Sequence, residues 1–181
     1  MENEKNALLI FVWEVLKIVV LALLIVIPIR YFLFQPFIVQ GASMEPNFHN
    51  NDYLIVDELS FRFRDVERGE VVVFKAPNNP SQKYIKRIIG LPNEIVEIKN
   101  NEITIFKYNR SSVLDESDYL TKNSLILNST KFTLKENEYF AIGDNRKATW
   151  KGRVPKENII GRVFVRALPI NAFIKIEAPA Y

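Results

Sequence analysis

Residues 7–29, ALLIFVWEVLKIVVLALLIVIPI, form an apolar run of 23 residues close to the N-terminus. As a helix rising about 1.5 Å per residue, such a run is roughly 34 Å long, enough to cross the ~30 Å hydrocarbon core of a bilayer. Glu14 and Lys17 interrupt it. Each costs up to roughly 2.5–3.5 kcal/mol near the membrane centre, although their i, i+3 spacing lets them pair. Against them stand 17 Leu, Ile, Val and Phe residues, contributing roughly −5 to −10 kcal/mol together. The balance favours insertion by a small margin. The following RYFLFQPFIVQGAS lacks the small-residue pattern of a cleavable leader, so an uncleaved anchor over 7–34 behind a short tail, 1–6, is expected. The alternative is an amphipathic helix lying on the membrane surface. Charge does not decide orientation, because Lys5 is offset by Glu2 and Glu4 while Arg30 lies on the far side.

Beyond Gln35-Pro36 the pattern changes to short apolar segments separated by turns: FIVQ, DYLIVDE, EVVVFKA, KYIKRIIG, EIVEIK, EITIFK, EYFAIGD, GRVFVRA and AFIKIE. These are predicted strands. Asn100-Asn101, between two of them, predicts a two-residue hairpin, because Asn tolerates positive φ. Residues 108–136 are polar and lack a period, as in a surface insertion. The sequons at Asn109 and Asn128 fall in it and read as chance matches. With 181 residues, one main core is expected. The predicted class is mainly β: an N-terminal transmembrane helix followed by an antiparallel β domain over 35–181.

The composition narrows the chemistry. The chain has no cysteine and a single histidine, His49, which excludes disulfides, thiolate zinc sites, cysteine nucleophiles and multi-His metal centres. No metal or cofactor is expected. The net charge of +3 comes from scattered basic residues, so no nucleic-acid partner is expected. Ser43, in GASMEP, sits in a turn shaped by Gly41 and Pro46. Such a serine is ordinarily a turn former and becomes a nucleophile only beside a base. His49, six residues on, reads as a solvated loop residue. In KYIKRIIGLPNE, period-2 alternation places Tyr84, Lys86 and Ile88 on one face and Ile85, Arg87 and Ile89 on the other. Either Lys86 snorkels from a sheet edge, or its apolar neighbours desolvate the ammonium and lower its pKa until it can take a serine proton. Arg87 stays charged in either case.

GASMEP, RGEVVVFKAP, YIKRIIGLPNE and GDNR, in this order behind an N-terminal anchor, resemble the boxes of type I signal peptidase, or leader peptidase. The resemblance covers the anchor and most of residues 36–167, apart from the polar insertion. It implies that Ser43 is the nucleophile and Lys86 the general base. It also implies an oxyanion bound near the Ser43 N–H, with the Gly41 backbone as a second donor. The implied substrates are exported preproteins with small residues at −1 and −3, bound extended along Phe37–Gln40 and Lys83–Ile85, with Val39, Val73, Tyr84 and Ile85 as pocket walls. Membrane lipid is the other implied partner. The implied location is the plasma membrane, single-pass, with the catalytic domain outside the cytoplasm.

The last box, GDNRKATWKGR, keeps Gly143, Asp144, Asn145, Arg146 and Arg153, of which Asp144, Arg146 and Arg153 are expected to hold the site together. Thr149 replaces the serine that orients the amine and keeps a hydroxyl. Lys151 replaces an aspartate expected to pair with the cation at Arg153. The added charge either depresses the Lys86 pKa further or pushes the loop outward. Asn47 replaces a threonine and reads as a tolerated turn residue. Two rival functions remain open at this point: a catalytically weak relative that binds extended segments, and a processing peptidase dedicated to one secretion or conjugation substrate.

Overall fold

The computed structural model describes residues 2–32, 34–108, 110–120, 129–147, 150–179 and 181, with side chains described from 9–27 and from 35 onward within those ranges. Helix α1 runs over Glu2–Phe32, so the helix begins within the expected tail. Its apolar stretch Leu9–Ile27 is covered by none of the other described residues, as expected of a helix whose solvent is lipid. Lys17 donates to Glu14 Oε1 at 2.7 Å along one face.

Twelve strands follow among the described residues. β1 (Phe34–Ile38), β2 (Tyr53–Asp57), β3 (Val71–Ala76), β4 (Asn79–Gly90), β9 (Glu138–Ile142), β10 (Lys151–Pro155), β11 (Ile159–Leu168) and β12 (Ile174–Lys175) build a large sheet. Its order is β1-β2-β11-β3-β4-β9-β10, with β12 on β11. β5 (Ile95–Lys99), β6 (Glu102–Lys107), β7 (Arg110–Val113) and β8 (Thr130–Thr133) form a smaller sheet in the order β7-β6-β5-β8. Every pairing is antiparallel. The mainly β class expected from the sequence holds.

Asn100 and Asn101 take φ of 51° and 66° between Lys99 and Glu102, which pair directly. This is the tight hairpin expected there. Two strands form within the described residues of the polar stretch 108–136. β7 and β8 come from it and pair with the two edges of the β5–β6 hairpin. All four β7 residues are exposed, so no apolar stripe announces the strand. β10 was also missed, because Gly152 and Pro155 give KGRVP the look of a turn.

The buried apolar residues group into three clusters along the sheets, one of them Val66, Val72, Phe74, Ile88, Tyr139, Ala141 and Val154. Val39, Met44, Phe48, Leu54, Val56, Val71, Val73, Ile85 and Val163 pack beneath the loop that follows β1. Ile89, Phe140 and Ile142 of the large sheet meet Val96, Ile98, Ile103, Ile105 and Leu134 beside the smaller one. Gly90, at the end of β4, lies where the two sheets press together. A Cβ there would fall 2.4 Å from Val96 Cγ2 and 2.9 Å from Phe140 Cβ. Gly90→Ala should therefore lower stability by roughly 1–3 kcal/mol, the usual cost of overpacking, read as a lower urea midpoint with an unchanged slope.

Candidate active site

The Ser43 loop is held from within. Val39 N–H donates to Asp52 O at 3.0 Å and Asn51 N–H to Val39 O at 2.9 Å, closing the loop at its base. Met44 and Phe48, 0% and 1% exposed, plug it into the core. Gly41 has φ of +86°, and a Cβ there would meet nothing within 4 Å. The glycine is thus required by backbone conformation, not by space. Ser43, the residue before Met44, is left half-buried at the loop surface.

Lys86 is placed by β4, opposite Val72 of β3, and is 4% exposed. Its Nζ lies 2.6 Å from Ser43 Oγ and donates to Ile85 O at 2.9 Å. Burial pulls its pKa down from 10.5 to about 8, opposed by the negative charge of Asp144. At pH 7 about a tenth of such amines are neutral, against about 4 × 10⁻⁴ for an unperturbed lysine. Lys86 is buried, the position that the desolvated reading requires and the snorkelling one does not.

Arg87, the next residue, points into a different set of contacts. Its Nε and Nη2 donate to Asp144 Oδ1 and Oδ2 at 2.9 and 2.7 Å, and its Nη1 donates to Gly69 O at 2.8 Å. Asp144 is 1% exposed and also accepts from Asn47 Nδ2 at 2.8 Å. A bidentate, fully hydrogen-bonded pair of this kind is the form in which buried charges are tolerated. Beside it, Asn145 N–H donates to Ser43 O at 3.2 Å and Asn145 Nδ2 to Ala42 O at 3.0 Å. The GDNR turn therefore grips both Arg87 and the backbone of the Ser43 loop. Arg146, also buried, is bidentate on Glu116 at 2.6 and 2.7 Å.

The structure separates the remaining sequence candidates. A groove of about 770 Å³ leads to the Ser43–Lys86 pair, lined by residues 36–38 and 40 on one side and 81–86 on the other. Tyr84 and Ile85 lie on this groove, whereas Val39 and Val73 are each 1% exposed and belong to the core beneath it. Ile85, though in the same buried cluster, borders the groove, and Val39 and Val73 do not. Gly41 N–H donates to Asn50 Oδ1 at 2.8 Å, so the second oxyanion donor expected there already has an acceptor. His49 is exposed, as expected. Arg153 is exposed on β10 opposite Phe140. Thr149 lies outside the described residues, but neighbouring Trp150 packs on Tyr84 with ring centroids 5.9 Å apart.

Of the two consequences expected of Lys151, an added depression of the Lys86 pKa has no Lys151 contribution, and the displacement of Thr149 falls on 148–149, outside the described residues. Burial and the nearby Arg146 lower its pKa, while the Lys86 shift arises from burial and Asp144. The turn at 143–147 keeps its grip on Ser43. What the sequence reading missed is Asn47, which is more than a turn residue because it bridges Asp144 and Tyr119 O. It also missed Glu116 and Tyr119, from the stretch to which no chemistry had been assigned. The signal for Glu116 was its charge, complementary to Arg146, but nothing local linked the two.

A family model described as signal peptidase, peptidase S26, matches residues 12–168. The probable signal peptidase I-2 of Synechocystis sp. is 34% identical over 166 residues, covering 87% of this chain and 73% of that protein. A signal peptidase I of Bacillus amyloliquefaciens is 32% identical over 161 residues, covering 84% of this chain and 83% of its own length. A solved signal peptidase I from Enterococcus faecalis aligns with 55% of this chain and 97% of its own, at a TM-score of 0.45 and 26% identity. Matches across this much of the sequence define a serine peptidase. The chain belongs to the signal peptidase family, peptidase S26.

The buried amine has a thermodynamic signature. Its folded pKa, about 8, lies below the unfolded 10.5, so between these values the unfolded chain binds more protons and stability rises with pH. Lys86→Met should stabilise the protein near pH 7 by up to about 3 kcal/mol, since a tenfold change in a protonation equilibrium corresponds to ~1.4 kcal/mol. Urea unfolding in detergent should show that advantage shrinking from pH 8 to 10.5. A constant difference across that range would contradict the assignment.

Proposed function

We propose that this protein is a membrane-anchored endopeptidase that removes N-terminal signal peptides from exported preproteins, with Ser43 as nucleophile and Lys86 as general base. The observation that carries the reading is the 2.6 Å approach of Lys86 Nζ to Ser43 Oγ, made by an amine that burial has moved towards neutrality. A nucleophile and base within hydrogen-bond reach, with the base already tuned, meet both the geometric and the pKa requirement.

In the first half-reaction neutral Lys86 accepts the Ser43 proton as Oγ attacks the scissile carbonyl carbon. The oxyanion forms near the Ser43 N–H. Collapse breaks the C–N bond, Lys86 returns its proton to the leaving amine, and the mature protein departs with a new N-terminus. The signal peptide remains as a Ser43 ester. A water then gives its proton to Lys86 and attacks that ester, and Ser43 recovers a proton as the acid is released. One amine serves both halves.

The sheet supports an extended substrate. β1 is the last strand of its sheet, and β4 meets β9 only from Arg87 onward, so residues 79–86 have no strand on their second side among the described residues. These two open edges flank the groove that ends at Ser43. A peptide entering it can add main-chain hydrogen bonds to either edge, with alternate side chains facing Tyr84 and Ile85. Such binding recognises backbone and rejects bulk, in keeping with small residues at −1 and −3.

The anchor sets where this happens. β1 starts two residues after α1 ends, at most ~7 Å of extended chain, so the groove begins near the membrane surface. We place the domain on the outer face of a bacterial plasma membrane, where the signal peptide of a translocated precursor is itself held in lipid.

Two measurements test the reading. Ser43→Ala and Lys86→Ala should each remove cleavage of a preprotein in detergent while leaving the circular dichroism spectrum unchanged. Wild-type kcat/KM should rise along a limb with a midpoint near 8, because only the neutral amine is a base. Activity in either variant, or a limb near the ordinary lysine value of about 10.4, would contradict it.

A further inference from the structure

We infer that Tyr119, covered by Tyr181, clamps Ser43 against Lys86 from outside the dyad, making Tyr119 a positioning residue for the reaction. The inference rests on the Ser43/Lys86 reading and adds to it a role for the polar insertion and the C-terminal segment.

Tyr119 touches the residue next to Lys86 and a second residue of the Ser43 loop. Its ring lies 4.0 Å from the guanidinium carbon of Arg87, the residue after Lys86. Its backbone oxygen accepts from Asn47 Nδ2 at 2.9 Å, four residues past Ser43 in the same loop. Asp144 joins Arg87 and Asn47 on their other side, at 2.7–2.9 Å. Arg87 and Asn47 are thus each held between Asp144 and Tyr119, and the strand bearing the base cannot shift against the loop bearing the nucleophile without breaking one of these contacts.

Tyr119 is itself fixed. Its hydroxyl donates to Glu116 Oε1 at 2.5 Å, and Glu116 is tied to buried Arg146. Tyr181 donates its hydroxyl to the Tyr119 oxygen at 2.8 Å, with the rings edge to face at 6.4 Å. Pro179 and Tyr181 pack so closely on Gly69 that a Cβ there would lie 2.7 Å from Pro179 Cδ and 2.9 Å from Tyr181 Cε2. Gly69 O is the remaining acceptor for Arg87. The chain end therefore closes over the same guanidinium. Burial raises both phenol pKa values, that of Tyr181 to about 12, so both hydroxyls stay neutral donors while Lys86 titrates. Neither tyrosine lines the groove that leads to Ser43, which separates positioning from substrate binding.

The test uses the full chain in detergent with a preprotein substrate. Tyr119→Ala should lower kcat by roughly 10- to 100-fold, the scale expected when reacting groups are misplaced by about an ångström, with KM changed less than about twofold. Tyr119→Phe keeps the ring under Arg87 and should recover kcat to within a few-fold. Should Tyr119→Ala fail to fold, Tyr181→Ala carries the test, with a several-fold loss of kcat and an unchanged melting temperature expected. Wild-type kcat in the alanine variants, a loss confined to KM, or no recovery by Phe would overturn the clamp. A Ser43→Ala control run alongside separates the two claims: if it is silent, those outcomes overturn the clamp alone, and if it cleaves, the dyad falls and the clamp with it.

Discussion

An ammonium taken out of water is unstable unless something compensates it, and the site around Lys86 is arranged so that compensation is incomplete. Asp144 is close enough to raise the lysine pKa, but both of its oxygens are bound to Arg87, and Asn47 adds a third donor. The carboxylate spends its charge on the arginine, and the lysine meets a serine hydroxyl, one carbonyl and, at 5.8 Å, the face of the Tyr84 ring. Adjacent cations on one strand thus meet opposite fates: Arg87 is paired and remains charged, while Lys86 is desolvated and poised to lose its proton. Much of the remaining architecture maintains that asymmetry.

Maintaining it requires distant segments to meet. β4 supplies both cations, the loop after β1 supplies the hydroxyl, the turn after β9 supplies Asp144 and Asn145, and the insertion supplies Glu116 and Tyr119. None of these segments could hold the geometry alone. The Ser43 loop is plugged by Met44 and Phe48, and its backbone is tied to Asn145. Open strand edges at β1 and the first half of β4 then leave one face of the pair accessible, so rigidity and access come from the same sheet.

What could be read in the sequence follows the range of the interactions. The anchor and the Asn100-Asn101 hairpin are local, written in a 23-residue apolar run and two residues tolerant of positive φ. The apolar strand neighbours of Lys86 made burial one of two readings, and its position within the sheet, which is not local, separates them. Strands β7 and β8 carry no apolar stripe, and pairing with a neighbour organises them. Val39 and Val73 looked like pocket walls, yet alternation could not say which side of a curved sheet faces the groove. Asn47, Glu116 and Tyr119 were unreadable for a plainer reason: their partners lie 97, 30 and 62 positions away, and nothing in their own neighbourhoods announces the contact.

The central claim is the protonation state of one side chain, and it can be measured without any substrate. A 13C NMR titration of the Lys86 ε-carbon in the detergent-solubilised protein, assigned by comparison with Lys86→Met, reports that state directly. The account predicts a transition centred near pH 8, set apart from the other lysines. A resonance that titrates with them near 10.4 would mean that the amine is solvated and cationic at neutral pH, and would contradict the account.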